Sequence, residues 1–215
     1  FVFICFSFAS NLNKMGQLIM QYQAIVNNIF DEKLSFEKKA IQLLQYQYAN
    51  NTVYREWNEF LKTDIASVSS LNAIPFLPIS FFKTHKVMCR DFIPEYIFES
   101  SGTTQSSTSR HFVKTGAIYR QSFFKAFEMF YGDIKDWCII GLFPSYLERK
   151  KSSLVRMVDE LIKASGHSES GFYLDDFERL NQTLQLLESR KQKTLLIGVT
   201  FALLDFSEQY PVQLE

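Results

Sequence analysis

The residues most able to do chemistry sit together in the stretch Glu99-Ser100-Ser101-Gly102-Thr103-Thr104-Gln105-Ser106-Ser107-Thr108-Ser109-Arg110-His111, in which eight of thirteen residues are Ser or Thr. A phosphate group asks for several hydrogen-bond donors converging on one point with no bulky side chain in the way. Gly102 would let the backbone approach closely, and successive N–H groups around it can form an anion-binding concavity. Hydroxyls of Ser100, Ser101, Thr103 and Thr104 would add donors. Arg110 would supply the full positive charge that backbone dipoles lack, and His111 borders the tract closely enough to touch a bound nucleotide. The same composition also reads as a solvated Ser/Thr linker. The two readings part on context, because a floppy linker has no evident job between two apolar runs in the middle of a fold.

Those runs are Tyr96–Glu99 and His111–Thr115, both expected as strands, so the tract becomes the loop of a strand-loop-strand unit. Upstream, apolar residues recur at helical spacing at Leu18, Ile19, Tyr22, Ile25, Val26 and Ile29. They do so again at Phe36, Ala40, Leu43 and Leu44, behind Ser35 as N-cap. A third helix is expected from Thr52 to about Lys62, followed by a Ser-rich connector at Ser67–Asn72. Two prolines three apart, Pro75 and Pro78, then exclude a helix interior and favour an extended approach through Ile74–Lys83.

Downstream the pattern alternates. Helices are expected at Ala117–Phe130, Ser152–Ala164, Asp175–Arg190 and Phe201–Gln209, with strands at Trp137–Phe143 and Thr194–Val199 and a surface loop at Gly166–Gly171. Short, nearly continuous apolar strands interleaved with helices point to an α/β fold, a layered sheet with flanking helices behind an N-terminal helical segment. Residues 1–14 read as an irregular leader or upstream sequence, and 15–215 as one partial domain.

Three landmarks in order, Ile74-Pro75-Phe76-Leu77-Pro78-Ile79-Ser80-Phe81-Phe82-Lys83-Thr84-His85, the Ser100-Ser101-Gly102-Thr103-Thr104 core, and Pro144-Ser145-Tyr146-Leu147-Glu148-Arg149 with Ser152-Ser153-Leu154, resemble the LuxE-type acyl-protein synthetases. These are a branch of the adenylate-forming (acyl-CoA synthetase-like) superfamily, and the resemblance spans roughly residues 30–215. It implies an incomplete adenylate-forming N-terminal domain. Its loop would clamp the ATP β- and γ-phosphates while a carboxylate, that of a fatty acid in this branch, attacks the α-phosphorus. ATP and Mg²⁺ follow as cofactors, Ser100, Ser101, Gly102, Thr103, Thr104 and Arg110 as the phosphate-binding set, and a protein acyl acceptor or reductase as partner. The family's magnesium-binding acid, adenine and ribose contacts, C-terminal lysine and acceptor cysteine would all fall past Glu215. Two departures stand out: Gln105 where the superfamily loop has Gly, and Arg110 where it ends in Lys. They leave open the alternative of a noncatalytic partner protein that keeps the fold.

The third landmark follows a strand and precedes a helix, where α/β folds place ligand-contacting loops. Ser145 and Tyr146 are therefore candidate substrate or nucleotide contacts, beside the plainer reading of a capped helix start and solvated charge run. Acids at Asp175, Asp176 and Glu178 read as a helix's first turn more than as a metal pair. Phe123, Phe124, Phe127 and Phe130, like Phe201, Leu204 and Phe206, read as core stripes more than as walls of an acyl tunnel.

With 23 basic and 23 acidic residues the formal charge is zero, so no global field draws nucleic acid or an anionic surface. Cys5, Cys89 and Cys138 are odd in number and widely spaced, which fits a reducing cytoplasm better than a disulfide framework or a zinc site. The apolar segment Phe1–Ala9 is too short to span a bilayer and carries no preceding positive charge, so no membrane span or signal peptide is expected.

Overall fold

A computed structural model describes residues 20, 22–100, 108–144 and 151–211. Their contacts divide into two compact units, Phe1–Ile93 with Ser109–Phe112, and Pro94–Thr108 with Val113–Glu215. The described architecture is mixed α/β, with short strands and flanking helices.

The first unit is helical. α1 runs over 22–28, α2 over Phe36–Asn50 and α3 over Thr52–Phe60. Ser35 caps α2 by accepting from the Lys38 N–H, as its position in the sequence requires. Asn51 both closes α2 and opens α3, its Oδ1 accepting from the Tyr54 N–H at 3.2 Å. Leu44, Tyr54, Ile65 and Val68 form the buried core. The Ser-rich connector contributes two single 3₁₀ turns, Ile65–Ser67 and Leu71–Ala73. The proline-spaced segment is extended, and α3 receives it through two aromatic donors. Tyr54 Oη donates to the Pro75 carbonyl at 2.8 Å and Trp57 Nε1 to the Phe76 carbonyl at 3.2 Å. A one-turn helix, α4 at Phe81–Thr84, ends it.

The second unit is built on β3, Cys138–Leu142, whose five residues are all buried. β4, Gly171–Phe172, and β5, Thr194–Gly198, flank it in the order β4-β3-β5, both parallel to it. Parallel strands need long crossovers, and here helices supply them. α6, Ser153–Ser165, bridges β3 to β4, and α7, Phe177–Ser189, bridges β4 to β5. Since strand side chains alternate faces, Cys138, Ile140 and Leu142 pack with Leu180, Leu184 and Leu187 of α7 and with Ala202 and Phe206 of α8, Thr200–Gln209. Ile139 and Phe143 turn the other way. They meet Val155, Val158 and Leu161 of α6 and Phe123 and Phe127 of α5, Gly116–Tyr131.

The ends of these helices follow from local chemistry. Ser152 caps α6, and Gly166 closes it in the left-handed region at φ 67°. Asp176 caps α7 by accepting from Arg179 N–H, a capping role for an acid of the Asp175–Glu178 group.

Three expectations need correction. Gly166–Gly171 is not wholly a loop, because Gly171 starts β4, a strand of two residues with no periodicity to announce it. Phe130 is exposed while Phe123 and Phe127 are buried, so the α5 stripe is narrower than its spacing suggests. Phe201 and Leu204 are 52% and 56% exposed, leaving Ala202 and Phe206 as the inward face of α8.

Deleting side-chain volume in the second unit should be costly. Leu180→Ala, at a fully buried position, is expected to lose about 2–5 kcal/mol in urea denaturation. Asn58 offers the contrast: it is 0% exposed, its Nδ2 donates to the Tyr54 carbonyl and its Oδ1 is unpaired. Asn58→Leu removes that orphan while keeping the branched heavy-atom shape, so its unfolding free energy should stay within about 1 kcal/mol of wild type or rise.

Candidate functional site

Of the strands that bracket the hydroxyl-rich tract, β1 forms at Tyr96–Glu99 as expected, while β2 runs over Arg110–Val113, starting one residue before and ending two before the expected His111–Thr115. Of the candidate residues, Ser100, Arg110 and His111 are described. Ser101, Gly102, Thr103, Thr104, Ser145 and Tyr146 lie outside the described residues, as does 1–14.

Ser100 belongs to the second unit, exposed, directly after Glu99. Arg110 and His111 belong to the first. Arg110 is exposed, with its guanidinium 5.9 Å from the Phe112 ring centroid. His111 stacks on Phe82, centroids 4.4 Å apart and planes 19° from parallel. That stack ties β2 to Phe82 of the first landmark within the first unit. His85 stacks likewise on Phe81 at 4.8 Å and pairs its Nδ1 with Thr84 Oγ1 at 2.8 Å.

β1 is held by a chain of polar contacts within the second unit. Arg156 of α6 lies 3.9 Å from the Tyr96 ring centroid and donates to Tyr96 Oη at 2.6 Å. Tyr96 in turn hydrogen-bonds Glu95, and the Gly116 N–H at the start of α5 donates to Glu95 Oε2 at 2.8 Å. The Tyr96 bond first, and the Gly116 amide second, hold the Glu95 carboxyl below its usual range. Glu160 closes the group, 3.6 Å from both Arg156 and Arg120. Phe98 packs at a tilt against Tyr119, ring centroids 5.1 Å apart, and the Tyr119 hydroxyl donates to the Ser153 carbonyl at 2.8 Å. Strand, α5 and the first turn of α6 are thereby clasped together just before Ser100.

Glycine at 116 is a steric requirement of this clasp. A Cβ there would stand 2.4 Å from Tyr96 Cε2.

The C-terminal end of β1 meets Lys151, which directly precedes the Ser152 cap of α6. Glu99 N–H donates to the Lys151 carbonyl at 3.0 Å, and Lys151 Nζ donates to Glu99 Oε1 at 2.7 Å. Sequence reasoning placed Lys151 in a solvated charge run and missed this pairing. No local signal gives it, because the partners are 52 residues apart in the chain. The clasp residues Glu95, Tyr96, Gly116 and Arg156 were missed for the same reason.

Neither described cysteine has a nucleophile's setting. Burial pushes the Cys89 thiol up to about 11, and it donates to Gln47 Oε1 at 3.0 Å. Cys138 is fully buried in the central strand, and burial raises its pKa too.

Comparison of the chain with family models, curated proteins and solved structures returns no match.

The clasp makes two predictions. Gly116→Val must displace the Tyr96 ring, and overpacking of this kind costs about 1–3 kcal/mol, read as a lowered urea midpoint. Glu95's depressed pKa means that its contribution is present above the ordinary value of 4.5 and lost as pH falls below it. Glu95→Gln should therefore flatten the fall in thermal midpoint between about pH 5 and pH 3, and an unchanged acid limb would show that the carboxylate contributes nothing.

Proposed function

We propose that this chain grips the polyphosphate of ATP through the loop that opens at Ser100, and serves the activation of a carboxylic acid, a fatty acid by its resemblance to the LuxE-type synthetases. In that reaction a carboxylate oxygen bonds to the α-phosphorus, the bond to the β-phosphate oxygen breaks, and pyrophosphate leaves. The acyl-adenylate then passes its acyl group to a protein thiol or other acceptor.

One observation carries the proposal: a tract of eight hydroxyl residues and a glycine, ending in Arg110, is bracketed by β1 and β2. Hydroxyls and backbone amides that converge on a phosphate would serve as donors, and catalysis of phosphoryl and adenylyl transfer is largely positioning and charge neutralisation. Further support comes from β3, whose carboxyl end leads into Pro144 and the third landmark. Parallel α/β sheets bind ligands outside the carboxyl ends of their strands.

Magnesium, when bound, would neutralise phosphate charge in such a reaction. Among the described residues no three His, Cys, Asp or Glu side chains gather to hold a metal. The residues named above would bind and orient the phosphates.

The test is ligand-dependent stability. ATP at about 100 times its dissociation constant should stabilise the folded chain by about 2.7 kcal/mol, read as a raised Tm, and Gly102→Val should abolish the shift. In the natural full-length protein, radiolabelled pyrophosphate should exchange into ATP when a fatty acid is supplied. Binding without exchange for any carboxylic acid would assign the noncatalytic alternative, and no ATP shift at all would end the phosphate reading.

A further inference from the structure

β5 is an edge strand: among the described residues it pairs with β3 alone, in the order β4-β3-β5. The Lys193 carbonyl and the Val199 N–H both bond to β3. Since successive residues of a strand aim their N–H and C=O groups to opposite sides, Leu195 and Ile197 complete that ladder, and Thr194, Leu196 and Gly198 direct theirs to the outer edge. Such a row is a template for another strand, and sheets ordinarily guard it with charge, proline or a bulge. Thr194–Gly198 carries neither charge nor proline, its register with β3 is unbroken, and its five residues are only half-buried.

Symmetry and charge identify what fits there. The outward set is symmetric about Leu196, so two copies of β5 laid antiparallel pair Leu196 with Leu196 and Thr194 with Gly198, each pair exchanging both its hydrogen bonds. The residues leading into β5 include exposed Arg190, Lys191 and Lys193 and no acid, whereas α8, which follows it, exposes Asp205 and Glu208 and holds no base. Asp136 sits 3.6 Å from Lys193, so the net charge of the leading end rests on Arg190 and Lys191. α8 stays toward the carboxyl ends of the strands, because its Phe206 ring lies 5.7 Å from that of Phe177, the first residue of α7 after β4. Antiparallel pairing therefore sets the basic end of each copy toward the acidic end of the other, and parallel pairing would set like against like. The geometry points to β5 as a two-fold interface with a second copy of this chain, joining two three-stranded sheets into one.

Sedimentation velocity of the whole chain over about a hundredfold range of concentration should show a monomer–dimer equilibrium. Thr194→Pro removes an outward N–H at the first residue of the strand, where proline leaves the bonds to β3 in place. It should raise the dimer dissociation constant about 10-fold or more, with the Tm of the monomer unchanged. Lys191→Glu and Asp205→Lys should each weaken the dimer about 2- to 5-fold at low salt and restore it when combined. In hydrogen exchange the Thr194, Leu196 and Gly198 amides of the wild-type chain should be protected at high concentration and open at low. A chain that stays monomeric overturns the proposal, and so does a dimer that leaves these amides exchanging freely. Protection of the same amides in the monomer would mean that another stretch of the chain covers the edge, which overturns it as well.

Discussion

The second unit depends on one strand that has nowhere to meet water. β3 is buried along its whole length, pairs on both edges and presents alternate residues to two separate cores. Ile139, Ile140 and Leu142 each contribute roughly 1.5–3 kcal/mol of transfer free energy. Because the strand is parallel to its neighbours, its connections must be helices, and those helices are what the two cores are made of. Gly141 shows how tight the arrangement is: a Cβ at that position would lie 2.6 Å from the Phe172 ring.

The candidate site stands on that frame through α5 and α6. Arg156, the Ser153 carbonyl and Lys151 all belong to the start of α6 or the residues leading into it, and all three bind β1 or a residue packed on it. The opposite face of α6 is anchored by Val155, Val158 and Leu161 against β3. One helix thus transmits the rigidity of the buried strand to the strand that ends at Glu99.

Much of this was legible in the sequence. Apolar runs such as Cys138–Leu142 and Leu195–Gly198 announce strands because nothing polar interrupts them, although only the first is fully buried and the second, on the sheet edge, is half-buried. Ser35 and Ser152 mark helix starts because a hydroxyl there satisfies an otherwise orphaned amide. β4 was not legible, since two residues carry no period. Neither was the exposure of Phe201 and Leu204, because α8 is apolar on more than one side and only packing selects the inward one. At the site the loop composition could be read, and so could its flanking strands. The Glu99–Lys151 and Tyr96–Arg156 pairings could not, because they join residues 52 and 60 positions apart and depend on how the helices dock.

The strand order β4-β3-β5 puts the earliest strand of the sheet in its middle. As the chain leaves the ribosome, Cys138–Leu142 emerges before either of its partners, and the last register pairing, Leu142 with Gly198, joins residues 56 positions apart. At ordinary translation speeds that interval is roughly 3 to 11 s. For that time the edge of this buried strand that β5 will cover has no partner, and until β4 emerges the other edge has none either, so nascent-chain shielding by a chaperone would matter most there.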